Sequence, residues 1–249
     1  MTLEARLDPA HRNAPIPQVG VFARIPRPGA GKTRLAAAVG EPRAAALAAA
    51  VLADTLDRVA RLAPARTWWW LAPESGPNAA ALVAEARQLV AVPAAVRLEV
   101  QRGAHLGERM DDALAAMRAR GPALVLGADV PDLPAAILAE AIEHVRAGGP
   151  ADVVIGPAQD GGFYLLGSSG PLGELLRGRA AWGDGGVYAR TLADAERGGL
   201  AVHALARWGD VDDAEDLTAL RERLLVGRAA GDAARPGWPA RTAAMLLDP

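Results

Sequence analysis

"QVGVFARIPRPGAGKTRL" (Gln18–Leu35) carries the reading on which the rest of the chain turns. Gln18–Ala23 is short, apolar and valine-containing, and reads as a buried strand; the glycines and prolines that follow mark a loop. Gly31-Lys32-Thr33 completes the last three places of a Walker A loop, G-x-x-x-x-G-K-[ST], but its first glycine falls on Pro26. That loop works by aiming backbone N–H groups at phosphate oxygens. Pro26 and Pro28 have no N–H to aim. Although "ALVLGAD" (123–129) has the form of a Walker B strand, the stretch reads better as another kind of phosphate grip. Gly29 and Gly31 would allow close backbone approach to a diphosphate, and Lys32 and Arg34 would supply charge. A structural Gly/Pro turn is the plain alternative.

Outward from this loop, strands alternate with helices. The pattern predicts a helix from Pro42 to Leu62, with Asp54, Asp57, Arg58 and Arg61 on its wet face. It predicts strands at 67–73, 96–101 and 122–129, and helices at 106–120 and 134–145. Residues 151–167 form two apolar runs around a Gly-rich turn. Short helices near 171–177 and 186–197, a strand at 200–205 and a helix at 213–225 complete it. Such alternation implies an α/β sandwich with a largely parallel sheet. Ligands of such sheets sit at the carboxyl ends of the strands, where the loops at 24–34, 129–133 and 157–162 all fall. Residues 1–17 and 227–249 read as loosely packed tails around a single domain at 18–226. Trp68, Trp69 and Trp70 alternate between the two faces of a strand and read as core.

Composition narrows the chemistry. With 249 residues, 51% of them hydrophobic, the chain can bury a full core, and a net charge of −2 argues against a nucleic-acid partner. No segment has the form of a secretion signal or a membrane span, so a cytoplasmic protein is expected. The absence of cysteine excludes zinc-thiolate sites, disulfides and thiol nucleophiles, and four scattered histidines form no ligand spacing. A metal, if used, would be a hard cation held by carboxylates.

The carboxylates that could serve a site fall in three stretches. "GADVPDL" (127–133) puts Asp129 at a strand end and Asp132 three residues on, where it could also cap the next helix. "WGDVDDAEDL" (208–217) holds Asp210, Asp212, Asp213, Glu215 and Asp216; Asp213 and Asp216 suit an acidic first turn, but the cluster exceeds what a cap requires. "GPAQDGGFYLLG" (156–167) reads as a tight hairpin through Asp160-Gly161. The turn would carry Asp160 into a cleft, with Gly161 and Gly162 leaving room for a ligand.

"FARIPRPGAGKTRL", "QRGAHLGERM", "LGADVPDL", "GPAQDGGFYLLG", Trp182 and "WGDVDDAEDL", in that order, resemble the bacterial GT-A-like glycosyltransferases linked to radical-SAM partners and arsenosugar biosynthesis. More distantly the layout is similar to molybdenum-cofactor and phospholactate guanylyltransferases. The resemblance spans about residues 18–220. It implies a nucleotide-diphospho-sugar transferase fold that uses Mg²⁺ or Mn²⁺, a nucleotide-sugar donor and a small acceptor. Arg24, Gly29, Lys32, Thr33 and Arg34 fall in the implied nucleotide loop, and Asp129 and Asp212 at the implied metal acids. Asp160 and Asp132 are the candidate catalytic acids, and Gly161, Gly162 and Trp182 the candidate substrate contacts. The expected reaction is glycosyl transfer; a nucleotidyltransferase releasing pyrophosphate and a silent nucleotide-binding protein are the alternatives. Three positions depart from the family pattern: Arg24 stands for Lys, His105 for Asp, and Gly183-Asp184-Gly185 follows Trp182 where a small hydroxyl residue is usual.

Overall fold

The computed structural model describes residues 15–61, 65–74, 78–177 and 182–248. Its elements follow the alternation of the sequence: β1 (Gln18–Ala23), α1 (Thr33–Val39), α2 (Glu41–Arg61), β2 (Arg66–Leu71), α3 (Ala79–Leu89), β3 (Arg97–Val100), α4 (Leu106–Arg118), β4 (Ala123–Gly127), α5 (Ala135–Ala147), β5 (Asp152–Pro157), β6 (Phe163–Ser168), α6 (Val187–Arg197), β7 (Ala201–Ala204), α7 (Ala214–Ala229) and α8 (Ala240–Leu247). The seven strands form one sheet in the order β3-β2-β1-β4-β6-β5-β7. Only β6 runs against its neighbours, so the sheet is mostly parallel and the domain is a single α/β sandwich. The chain reverses its direction of winding between β1 and β4. That switch point opens a crevice at the carboxyl ends of the strands.

Strand alternation builds two cores. Val19, Val21, Trp69, Leu71, Leu124 and Leu126 pack under α2, α3 and α5. Trp68, Trp70, Val125, Ile155 and Leu166 pack under α4 and α6 on the other face. The tryptophan run is therefore core on both sides, as expected. Gly20 makes room for it: a Cβ there would lie 2.7 Å from Trp70 Cδ1 and 2.9 Å from Met117 Cε.

Two sequence expectations are corrected here. Asp54 and Arg58, read as a wet face of α2, are only 4% and 6% exposed. Asp54 accepts hydrogen bonds from the backbone N–H and hydroxyl of Thr242, each at 2.8 Å, and so caps the start of α8. Arg58 donates to the carbonyls of Pro131 and Leu133, fastening the loop after β4. The segment beyond Gly227 is accordingly more than a loose tail: Ala243 and Leu246 of α8 share a third core with Leu47 of α2 and Leu220 and Leu224 of α7. Among the described residues no helix is long and apolar enough to cross a membrane.

Candidate active site at the carboxyl edge of the sheet

The loop after β1 turns through Arg27–Ala30 and then through two left-handed glycines, Gly29 (φ 75°) and Gly31 (φ 93°). Lys32 follows with φ 50° and ψ 38°, the one non-glycine at positive φ among the described residues. Such a conformation is disfavoured for a side chain with a Cβ and persists where the surroundings hold it. What holds it is the ammonium group. Lys32 Nζ donates to the Val211 carbonyl (2.6 Å) and to Asp212 Oδ1 (2.6 Å), and pairs with Asp129 Oδ1 at 2.8 Å.

The two acids come from distant loops. Asp129 follows β4, and its carbonyl accepts from the Val211 N–H at 3.0 Å, so the loops after β4 and β7 are stitched together at the clamp. Arg34 reaches Asp212 Oδ2 from the outside at 3.0 Å. Burial would lower the Lys32 value, but Asp129 and Asp212 outweigh it and hold the ammonium above its ordinary range. For Asp212, burial pushes the carboxyl up, while Lys32 and then Arg34 pull it below the usual carboxylate value.

Beside the clamp lies a cleft of about 420 Å³ lined by Arg24, Gly31, Lys32, Gln101, Arg109, Asp129 and Asp212 among others. It shares Phe22, Leu106 and Asp129 with an adjoining cavity of about 240 Å³, which takes in Asp160, Gly162, Phe163, Trp182, Asp184 and Asp210. The β5–β6 turn reaches this cavity as a hairpin, and the loop after β7 pairs with it through Gln159 N–H to Trp208 carbonyl at 3.1 Å. Asp160 Oδ1 accepts from Gly162 N at 2.8 Å, which fixes the turn. Trp182 stands edge-on to Phe163, with centroids 6.3 Å apart, and packs over Gly107 at the start of α4.

Of the residues singled out from sequence, Arg24, Lys32, Asp129, Asp212, Asp160, Gly162 and Trp182 line this continuous cleft. Five do not. Gly29 faces Glu41 on the outside of the loop. Thr33 is exposed as the first residue of α1, and Arg34 braces Asp212 and Asp213 from outside. Gly161 is covered by the backbone of Gly185, so the missing side chain there serves chain packing and not ligand space. Asp132, a candidate catalytic acid, belongs elsewhere: its carboxylate accepts from Arg223 Nε at 2.6 Å and Trp208 Nε1 at 3.3 Å, with only 9% of its side chain exposed. Asp132 lines a separate cavity together with Trp208 and Arg223, on the far side of the loop that Arg58 fastens.

His105, at the departure from the family pattern, caps α4. Its Nδ1 accepts from Glu108 N at 3.3 Å, while the Glu108 carboxylate accepts from the N–H of Ala104, the residue before the cap, at 2.7 Å. Asp213 and Asp216 form the capping box of α7. That leaves Asp210 and Asp212 of the cluster for the cleft.

Sequence reasoning passed over two residues. Arg109, one turn into α4, adds a third cation to Arg24 and Lys32; its place in "LGERM" is the signal that could have found it. Asp210 is the other. Burial, then Asp212, Asp160 and Asp129, push its carboxyl up to about 6. An acid whose folded value is raised destabilises the fold above that value, and the penalty vanishes as pH falls below the unfolded value of about 3.9. Asp210→Asn, measured by urea unfolding in EDTA, should therefore stabilise the chain at pH 8 by about 1–3 kcal/mol. The advantage should fade between pH 6 and pH 4; an equal gain at both ends would sever it from ionisation.

Residues 55–184 match the model of a bacterial family described as "Uncharacterized protein conserved in bacteria (DUF2064)". Among solved structures, the chain is similar to a provisionally named nucleotide-diphospho-sugar transferase from Desulfovibrio desulfuricans G20, at 27% identity and a TM-score of 0.76, over 94% of this chain and 98% of that one. More distant are a homologue of Mycobacterium tuberculosis Rv0371c from Mycobacterium sp. strain JC1 (20% identity, TM-score 0.48, 85% of this chain and 97% of that) and glucosyl-3-phosphoglycerate synthase from Mycobacterium tuberculosis bound to Mn²⁺, UDP and glucosyl-3-phosphoglycerate (13%, 0.49, 94% and 83%). Likenesses at that level say nothing about this chain's site. No curated protein matches the sequence.

Proposed function

The chain belongs to the bacterial family DUF2064, and we propose that it moves a glycosyl group from a nucleotide-diphosphate donor to a small acceptor. The observation that carries this reading is the Lys32 clamp: one ammonium shared by two carboxylates from the loops after β4 and β7, at the switch point of a parallel sheet. The name of the Desulfovibrio protein, which is similar over nearly its whole length, supports the same class of reaction.

The clamp also suits a divalent cation. Asp129 Oδ1 and Asp212 Oδ1 already converge on a single positive charge, at 2.8 and 2.6 Å. Among the described residues no group of three potential ligands forms, which is compatible with Mg²⁺ or Mn²⁺, bound through one or two carboxylates plus substrate phosphates and water. Such a cation, held by Asp129 and Asp212, would neutralise charge on a departing diphosphate.

The chain's own groups account for the remaining roles. Released from its acids, Lys32 is free to pair with the diphosphate, beside Arg24 and Arg109 on the same wall. Cations placed where negative charge develops lower the barrier to leaving-group departure. Phe22 and Leu106 give the junction between the two cavities an apolar floor. In the smaller cavity, Asp160 is held by Gly162 N and open to the cleft, placed to orient an acceptor hydroxyl or take its proton. Trp182 and Phe163 give that acceptor or sugar an aromatic wall.

A second reading is nucleotidyl transfer, favoured by three cationic side chains lining one cleft, a match for a triphosphate. The two readings differ in what leaves: a nucleoside diphosphate in the first, pyrophosphate in the second. Thermal-shift measurements with UDP-, GDP-, ADP- and CDP-sugars and the matching triphosphates, each with Mg²⁺, Mn²⁺ or EDTA, come first. A ligand at 100 times its Kd stabilises by about 2.7 kcal/mol. The expected result is a metal-dependent shift with one nucleotide-sugar, followed by release of its nucleoside diphosphate in an acceptor screen. A shift with triphosphates alone and release of pyrophosphate would replace the first reading by the second. No metal-dependent shift with any of them would remove both.

A further inference from the structure

We propose that a second anion-binding site lies at the opposite edge of the sheet, and that it takes a small compound carrying a chain of phosphates. A cavity of about 520 Å³ opens there, lined by Gln18, Arg66, Thr67, Arg97 and Arg120, with Pro15, Ile16 and Ala95 completing the wall. Gln18, Arg66 and Arg97 stand at or next to the amino ends of β1, β2 and β3. The Lys32 clamp sits beyond the carboxyl ends of the same strands, the length of β1 away, roughly 20 Å.

Arg66, Arg97 and Arg120 line this cavity, and among the described residues no carboxylate does. Among the described residues none of the three forms an ion pair or a side-chain hydrogen bond. Other arginines of the described residues are committed to carboxylates: Arg27 is paired with Glu74 and Glu85, the exposed Arg177 shares Asp111 with Arg118, and Arg223 is held by Asp132. Like charges gathered around one cavity repel, and an anion between them reverses the sign of that interaction.

The cavity is also built to present those charges. Arg97 and Arg120 lie over the Trp68 ring, with Cζ at 4.7 and 5.6 Å from its centroid. A cation over an aromatic face is oriented without spending its N–H donors, so each fork keeps its donors for bidentate contact with phosphate oxygens. Trp68 is fixed in turn: it is 3% exposed, and its Nε1 donates to Gln18 Oε1 at 3.0 Å while Gln18 Nε2 donates to the Ile16 carbonyl at 2.7 Å. Arg120 is placed by a chain crossing. At Gly121, φ is 156° and a Cβ would lie 2.3 Å from the Ile16 carbonyl oxygen.

Among the described residues no carboxylate lines the cavity to share a metal, so binding there needs no divalent cation and is measured in EDTA. Isothermal titration of the full chain with inorganic pyrophosphate forms one arm and ATP the other, separating a free phosphate chain from one carried by a nucleoside. Arg97→Ala/Arg120→Ala is expected to weaken pyrophosphate binding at least tenfold, and the exposed single change Arg66→Ala several-fold. Lys32→Ala should leave it within a factor of two, which keeps this site apart from the transferase cleft. ATP binding with the same arginine dependence supports recognition of the phosphate chain, and tighter binding than pyrophosphate adds the nucleoside to the ligand. Absence of binding in EDTA, or binding equally tight in the double variant and the folded Arg66→Ala protein, would overturn the proposal.

Discussion

Lys32→Ala is expected to lower transfer activity about 10²–10³-fold, the usual consequence of removing one preorganised group that stabilises charge in the transition state. The residue has two duties that fail together. With a donor bound, it supplies charge to the diphosphate. Without one, it is the counterion that lets Asp129 and Asp212 lie side by side. Its side chain is 19% exposed, against 43% for Asp129 and 34% for Asp212, so the clamp lies between a surface pair and a buried one. Its loss should cost the resting fold about 1–3 kcal/mol.

The pH dependence of that cost has a definite sign. Asp212 is held below its ordinary value, so its contribution is present above the unfolded value of about 3.9 and is lost as pH falls through the folded one. Lys32 is held above its ordinary value. Its contribution is full below about 10.4 and is lost only as pH rises through the folded value. The deficit of Lys32→Ala should therefore be constant near neutrality and shrink in acid, as Asp212 takes up its proton. Urea unfolding at pH 7 and pH 3 measures it. Added Mg²⁺ should restore part of the lost stability at pH 7, because the cation replaces the ammonium. A variant as stable and active as the parent would remove the clamp from the mechanism.

How far such a site can be read from sequence depends on the reach of the signal. The β1 strand, the β4 strand leading to Asp129 and the Asp-Gly hairpin are local patterns, and each forms where the pattern puts it. The cap of α3 was equally local: Asn78 accepts from Ala81 N at 2.9 Å, a start signal that the sequence reading leaves unused. Other features have no local signature. Asp54 and Arg58 carry the spacing of a wet helical face, and only α8 and the β4 loop, far along the chain, turn that face inward. Asp132 resembles a second site acid until Arg223, 91 residues later, is brought against it. Asp210 and Asp212 are indistinguishable in a run of acids. What separates them is that Lys32, 180 residues earlier, reaches one and not the other.

Gly161→Ala should prove the most damaging single-methyl change near the cleft, costing about 2–4 kcal/mol and most of the activity. Two independent penalties meet at this residue. Its φ of +87° lies where a side chain is disfavoured by roughly 1–2 kcal/mol. The added Cβ would also stand 2.0 Å from the Gly185 carbonyl oxygen, with the Gly185 Cα at 2.9 Å. Backbone cannot swing aside as the tip of a flexible side chain can, and overpacking of this kind costs about 1–3 kcal/mol. Relief would require the β5–β6 turn to part from the 183–186 segment. That would break the hydrogen bond from Tyr188 N–H to the Gly161 carbonyl at 2.9 Å and displace the turn that fixes Asp160. The cavity wall at Gly183 and Asp184 would move with it. Gly183→Ala is the control, since its φ of +91° imposes the same backbone penalty while no atom lies within 4 Å of the added Cβ. If steric closure against Gly185 is what matters, Gly183→Ala loses only the backbone share and keeps its activity. Equal losses in the two variants would assign the whole effect to backbone strain and remove the Gly161–Gly185 contact as the feature that holds Asp160 in place.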